Sequence, residues 1–171
     1  MVDVRVLTTP DAQNFQAIRL RALKEHPEAF GASYEEEAEM PLEKMTQWLQ
    51  SSEGSIFGAF DEGTLVGIVS LQRSPRQKTR HRAMINAMYV APEARGKGAG
   101  QALMDAALND AHTFEELDDV VLAVTVGNDA ARHLYLKAGF VPYSIDPRYI
   151  SVDNQYFDIE WMILRIADHG R

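Results

Sequence analysis

Apolar and polar positions alternate from the first residues: Val2, Val4 and Val6 share one side, which predicts a strand. Thr9-Pro10-Asp11 then reads as an N-cap, a proline at the first helical position and an acid in the first turn. The helix that follows lines up Phe15, Ile18 and Ala22 and stops near His26-Pro27. A second helical stretch, from about Ser33 to Leu49 and interrupted near Pro41, carries Glu35, Glu36, Glu37 and Glu39. Ser55 to Phe60 and Leu65 to Leu71 flank Asp61-Glu62-Gly63-Thr64, a hairpin pattern. After a polar, basic connection from Arg73 to Lys78 comes a strand ending in Met84 to Val90, then a glycine-rich turn. A helix is predicted from Ala99 to His112, with Leu103, Ala106, Ala107 and Ala111 on one face.

The continuous run Val120 to Val126 predicts a strand buried on both faces. Asn128 opens another helix with an apolar stripe of Ala131, Leu134, Tyr135 and Ala138, closed by Lys137 and Gly139. Phe140 to Tyr143 and Phe157 to Ile166 read as two last strands around a polar loop. The order β-α-α-β-β-β-α-β-α-β-β predicts an α/β (α+β) fold with a mixed sheet and helices on its faces. No repeat, low-complexity tract or linker divides residues 1–171, so one domain is expected.

Composition narrows the chemistry. Zero cysteine removes disulfide scaffolds, thiolate zinc sites, iron–sulfur clusters and a cysteine nucleophile. The five histidines lack metal-ligand spacing, so no metal is expected. The net charge of -8 argues against general attraction to nucleic acid or anionic membranes. The basic group Arg73, Arg76, Lys78, Arg80, His81 and Arg82 lacks interleaved aromatics and reads as a solvated connection. No apolar run approaches the roughly 20 residues of a membrane span. With no signal-peptide pattern at Met1 to Arg5, a soluble, cytoplasmic protein is expected.

The most informative segment is Val90-Ala91-Pro92-Glu93-Ala94-Arg95-Gly96-Lys97-Gly98-Ala99-Gly100. A strand ends at Val90 and a helix begins inside the glycine cluster. The first N–H groups of that helix lack internal partners and carry the positive end of its dipole. Glycines permit close approach, and Arg95 and Lys97 add charge, which together describe a cradle for a phosphate or pyrophosphate. A P-loop requires Ser or Thr after the lysine, whereas Gly98 follows Lys97. A dinucleotide fingerprint requires G-x-G-x-x-G, whereas Gly96, Gly98 and Gly100 run G-x-G-x-G.

Arg95-Gly96-Lys97-Gly98-Ala99-Gly100 instead resembles the signature of the GNAT superfamily of N-acetyltransferases: Arg or Gln, two residues, Gly, one residue, then Gly or Ala. A second segment is similar to the same superfamily: Asn128, a helix with Ala131 and Leu134-Tyr135, then Gly139-Phe140 opening a strand. The resemblance covers Ala83 to Tyr143 and extends to the N-terminal half in architecture alone. It implies a mostly antiparallel central sheet, helices on both faces, and fourth and fifth strands that splay apart near a bulge.

It also implies roles. Acetyl-CoA is the expected cosubstrate, with its pyrophosphate on the amides of Gly96, Lys97, Gly98, Ala99 and Gly100 beside Arg95. Its pantetheine arm is expected along the main chain of Met88, Tyr89 and Val90, near Asn128 and Ala131. Tyr135 is the expected general acid for the departing thiolate, the alternative being plain core; Asn128 also suits an N-cap. The expected activity is direct attack of a primary amine on the thioester: a small molecule, a polyamine, a lysine or a protein N-terminus.

Many members of the superfamily carry a glutamate four residues before the position of Val90, where this chain has Asn86, which orients water but is no base. Glu35, Glu36, Asp158 and Glu160 are the alternative bases, and each also reads as a solvated carboxylate. Phe30, Tyr34, the glutamate run and Tyr149 to Tyr156 are expected to form an aromatic, acidic acceptor site suited to a cationic amine. The rival reading is a CoA-binding sensor or interaction module without turnover. A homodimer is expected by analogy with the superfamily.

Overall fold

The computed structural model describes residues 1–167. Residues 168–171, which the single-domain expectation includes, lie outside the described residues. Seven strands, β1 (Val2–Val6), β2 (Gly54–Asp61), β3 (Thr64–Arg73), β4 (Arg82–Val90), β5 (Asp119–Thr125), β6 (Val141–Val152) and β7 (Gln155–Arg165), form one sheet ordered β1-β2-β3-β4-β5-β7-β6. Only β4 and β5 pair in parallel; the other neighbours are antiparallel. The helices are α1 (Ala12–Glu25), α2 (Tyr34–Ala38), α3 (Leu42–Leu49), α4 (Ala99–Ala111) and α5 (Asp129–Lys137).

Each face of the sheet has its own core. On one, Leu103, Met104 and Ala107 of α4 and Tyr135 of α5 pack on Val69, Leu71, Val120 and Leu122. On the other, Phe15, Ile18 and Ala22 of α1 and Met45 of α3 cover Ile56, Ile68 and Tyr89. The predicted stripe of α1 is therefore its buried face. Truncating Leu103, which has no solvent exposure, is expected to cost about 2–5 kcal/mol.

Local chemistry sets most element ends. A short 3-10 turn over Thr9–Asp11 precedes α1, which starts at Ala12, later than the sequence suggests. Asp11 accepts bonds from the Thr8 amide and both terminal nitrogens of Arg5, each at 2.8 Å, and the Arg5 guanidinium pulls its carboxyl down to about 2. Pro41 separates α2 from α3 as expected. The β2–β3 hairpin turns through Glu62 and Gly63, both at positive φ.

The polar loop expected between Tyr143 and Phe157 is strand. β6 continues to Val152 and turns into β7 through Asp153-Asn154, at φ 49° and 62°. β6 is an edge strand, exposed along most of its length; its apolar alternation, Val141, Tyr143 and Ile145, breaks off at Asp146-Pro147-Arg148, which reads as a loop. Its register shifts twice, between Pro142 and Ser144 and between Asp146 and Ile150, which accommodates Pro142 and Pro147 on an edge.

Candidate functional site

β4 pairs with β5 only through Arg82, Ala83 and Met84, partnered by Asp119, Val120 and Val121. Beyond Met84 the two strands part. On its other side β4 stays paired to β3, but with a bulge: Asn86 lies opposite Ser70 and Tyr89 opposite Ile68, so three steps on β4 match two on β3. Ala87 absorbs the extra residue at φ 55°, a left-handed conformation that costs a non-glycine residue about 1–2 kcal/mol. The Ala91 amide donates to Val66 O at 2.8 Å, so by the alternation of a ladder Val90 and Met88 turn their main-chain groups toward the open side.

At the mouth of this cleft, a 3-10 turn over Pro92–Ala94 leads into the glycine loop, and Gly98 starts α4. Gly96 and Gly98 take φ 76° and 82°, and a Cβ on either would project into open space. The left-handed backbone demands glycine there, and the space beside it admits a ligand against the first amides of α4. Gly100 differs: a Cβ there would make ordinary contact with Leu134, at 3.4 Å, and with Met88, at 3.6 Å. Arg95 donates to Val90 O at 3.1 Å and lies 3.2 Å from His26 Nε2. Lys97 is held by Asp61 at 2.8 Å, a contact that raises the lysine and lowers the carboxylate from their ordinary ranges.

The end of α1 braces this loop. Arg21 forks onto Glu93, at 2.7 and 2.8 Å, and reaches Glu25 at 2.8 Å. Its bond draws the exposed Glu93 down to about 2. Glu25 in turn accepts the Tyr89 hydroxyl at 2.6 Å. Burial first, and that bond second, push the Tyr89 phenol up to about 12. The Tyr89 side chain thus belongs to the α1 face, leaving only its main chain near the cleft.

Across the cleft, the Asn128 side chain caps α5 by accepting from the Ala131 amide at 3.3 Å. Tyr135 is buried in the core under α4, edge-on to Phe140, and desolvation alone pushes its phenol up to about 12. It therefore stays protonated at neutral pH. Thr125 closes the end of β5 by donating to Glu28 O at 2.7 Å.

A cavity of about 700 Å³ opens on the opposite, α1 face of the sheet and meets the bulge at Asn86 and Ala87. Its sheet wall is a polar row, Ser70 and Gln72 of β3 beside Asn86 of β4. Gln47 and Trp48 of α3, Gln50 at its C-cap, and Phe15 and Arg19 of α1 face that row across the cavity. Arg19 is locked by Glu37 of α2 through two 2.8 Å bonds.

Comparison with known proteins identifies the arrangement. The family model described as the acetyltransferase (GNAT) family matches residues 12–140, more than half of the chain. The chain belongs to the GNAT family. A mycothiol acetyltransferase of Paenarthrobacter aurescens is 32% identical over 142 residues, 81% of this chain and 42% of that protein. A spermidine N(1)-acetyltransferase of Vibrio cholerae is 32% identical over 84 residues, 49% of each chain. The chain thus spans about half the length of these curated relatives. A Salmonella typhimurium protein described as an acetyltransferase, solved with its cofactor acetyl-CoA, has the same fold: TM-score 0.87 at 18% identity, covering all of this chain and 97% of that one.

For a GNAT chain the cleft, the bulge and the glycine loop lie where the sequence motifs predict. The expected acceptor residues are scattered instead. Glu36 is bound into the capping box of α2, accepting from the Ser33 amide at 2.8 Å. Tyr34 lies under Lys24, and Phe30 packs on the α1 core. Glu160, in mid-strand rather than near a strand start, is paired with Arg132 at 2.6 Å. Asp158 accepts the Arg148 amide at 2.8 Å. None of these, nor Glu35, lines the cavity at Asn86. The residues that do line it left a trace in the sequence: Ser70 and Gln72 interrupt an apolar strand two apart, on one face, and Arg19 interrupts the stripe of α1. Reading them as a wall required the pairing of β3 with β4.

Proposed function

We propose that this chain is an acetyl-CoA-dependent N-acetyltransferase that transfers the acetyl group directly to a primary amine. The observation that carries the reading is the junction of two openings at one bulge. The β4–β5 cleft, with a glycine loop at its mouth, runs to Ala87 from one face, and the polar cavity runs to Asn86 and Ala87 from the other. A thioester lying in the cleft and an amine in the cavity would meet there, which is the proximity that direct transfer needs.

In this reading Gly96 to Gly100 and Arg95 bind the pyrophosphate, and the main chain of Met88 to Val90, with Asn128 and Ala131, holds the pantetheine arm. The amine nitrogen bonds to the carbonyl carbon, the Met88 amide stabilises the oxyanion, and the C–S bond breaks. Tyr135, protonated and buried, gives its proton to the sulfur and regains one from solvent. Asn86 orients a water that takes the proton from nitrogen. Thiol release from acetyl-CoA over a panel of amines tests the reading. Absence of Cys and of a G-x-S-x-G elbow from the sequence supports direct transfer over an acyl-enzyme.

The alternative is a CoA-binding sensor, favoured by Asn86 in place of an acid and by a cavity lining that among the described residues has no carboxylate. A melting shift with acetyl-CoA but no thiol release with any amine would select it. We also propose a homodimer through the edge strand β6, supported by the exposure of Val141, Tyr143 and Ile145 along it. Sedimentation velocity of the wild type and of Ile145→Lys tests that assembly.

A further inference from the structure

The cavity at Asn86 carries information about the acceptor. Its polar groups are uncharged: the amides of Gln47, Gln50, Gln72 and Asn86 and the hydroxyls of Ser51 and Ser70. Each amide offers both donors and acceptors, and each hydroxyl does both. Ser51, Gln72 and Ser70 already form a chain, with Ser51 Oγ 3.5 Å from Gln72 Oε1 and Gln72 Nε2 3.4 Å from Ser70 Oγ. Such long contacts are easily exchanged for bonds to a ligand. Trp48 and Phe15 add apolar surface.

Among the described residues the one charged member of the lining is Arg19, and its charge is taken up by Glu37. Other charged groups on the walls are directed elsewhere. On α1, Arg21 and Glu25 serve the glycine loop, and Lys24 sits over Tyr34. On β3, Arg73 donates to the carbonyls of Arg80 and Glu115; on β4, Arg82 lies 3.9 Å from Asp119 and Tyr89 donates to Glu25. Glu43 and Lys44 of α3 and Glu53 before β2 do not contribute to the lining.

We infer that the acceptor is a primary amine of low basicity, closer to a terminal α-amine than to an alkylamine, on an uncharged skeleton rich in hydroxyl or amide groups. The inference rests on the transfer reading above and deepens it. Two arguments converge. A polyamine would bring two or more charges into a site with no carboxylate to receive them, and desolvated cations need a counter-charge. A neutral polar skeleton instead exchanges hydrogen bonds with the amides and hydroxyls without bringing charge into the cavity.

The second argument concerns the proton. Only a neutral amine has a lone pair for the carbonyl carbon. An alkylamine with a pKa of about 10.4 is neutral at pH 7 in roughly one molecule in 10³, an α-amine of pKa about 8 in roughly one in ten. A site with a base recovers the difference by removing the proton. Among the described residues no carboxylate or histidine lines the cavity, and Asn86 stands nearest the bulge. The acceptor must therefore arrive neutral. After attack the N–C bond has formed, the nitrogen proton passes to water, and the C–S bond breaks with a proton delivered to sulfur.

The test is steady-state thiol release from acetyl-CoA between pH 6 and 10 with four acceptors: glycinamide, glucosamine, putrescine and an Nα-acetyl-lysine amide. At pH 7 glycinamide and glucosamine are expected to exceed the two alkylamines in kcat/KM by about 10²-fold, following their neutral fractions. Glycinamide and glucosamine are each expected to level off above their own amine pKa, while the two alkylamines are still rising at pH 10, so the profile moves with the acceptor. A midpoint common to all four would mark a base on the protein and overturn the inference, as would putrescine being the best substrate at pH 7. Gln72→Glu, which brings a carboxylate into the cavity, is expected to raise putrescine relative to glycinamide by about tenfold; an unchanged ratio counts against it. Thiol release with none of the four, alongside a melting shift with acetyl-CoA, would instead overturn the transfer reading itself.

Discussion

Tyr135 and Ala87 illustrate how single residues act here through their surroundings. The Tyr135 hydroxyl is held protonated by burial, its pKa near 12, and a phenol that never ionises below pH 10 is a standing proton donor. Tyr135→Phe is expected to lower kcat by about 10²-fold or more while leaving the acetyl-CoA KM nearly unchanged. Loss of both parameters together would assign Tyr135 to packing. Ala87 has to adopt φ 55° to keep the bulge. Ala87→Val places a β-branched side chain in that conformation, and thermal denaturation is expected to show a loss of about 1–3 kcal/mol. Ala87→Gly relieves the strain and should be neutral or slightly stabilising. The glycine motif was legible because Gly96 and Gly98 are required one by one by their own backbone. The strain at Ala87 was not, since nothing in an alanine announces a positive φ.

At the scale of elements, the cleft exists because a parallel pair ends early. Three residues of β4 pair with β5 and the remaining six do not. Hydrogen exchange reads this directly: the Met88 and Val90 amides are expected to gain protection when acetyl-CoA is added, while those of Arg82 to Met84 stay unchanged. Equal changes along the whole strand would remove the cleft as the binding edge. The helices and the buried strand β5 were readable from periodicity, since one face or both faces are apolar. The far half of β6 escaped because its alternation stops at Ile145 and its two register shifts admit Pro142 and Pro147, residues that read as turn. The early helices do line the cavity at Asn86, but through Phe15, Arg19, Gln47 and Trp48 rather than through the residues the sequence singled out. Glu36, Asp158 and Glu160 spend their oxygens on neighbouring backbone and on Arg132, which sequence spacing does not reveal.

Over the whole molecule, an acidic chain of net charge -8 binds a polyanion only by concentrating partial and full positive charge in one place. On the proposed reading the start of α4, Arg95 and Lys97 form that place, and Asp61 draws on it by holding Lys97. Asp61→Asn frees the lysine and is expected to tighten acetyl-CoA binding several-fold at low ionic strength, by calorimetry, with the gain shrinking as salt is added. Weaker binding would place Asp61 as a support of the loop. In the basic connection around Arg76, Arg73 is buried and donates to the carbonyls of Arg80 and Glu115, while Arg82 lies 3.9 Å from Asp119. The order of elements, the glycine cradle and the Asn128–Phe140 segment are local properties, set by caps, periodicity and backbone freedom, and the amino-acid order alone carries them. Which carboxylates are already engaged, and which polar side chains from α1, α3, β3 and β4 face one another across the bulge, depends on strand register and on contacts between residues tens of positions apart; those emerge only once the sheet has assembled.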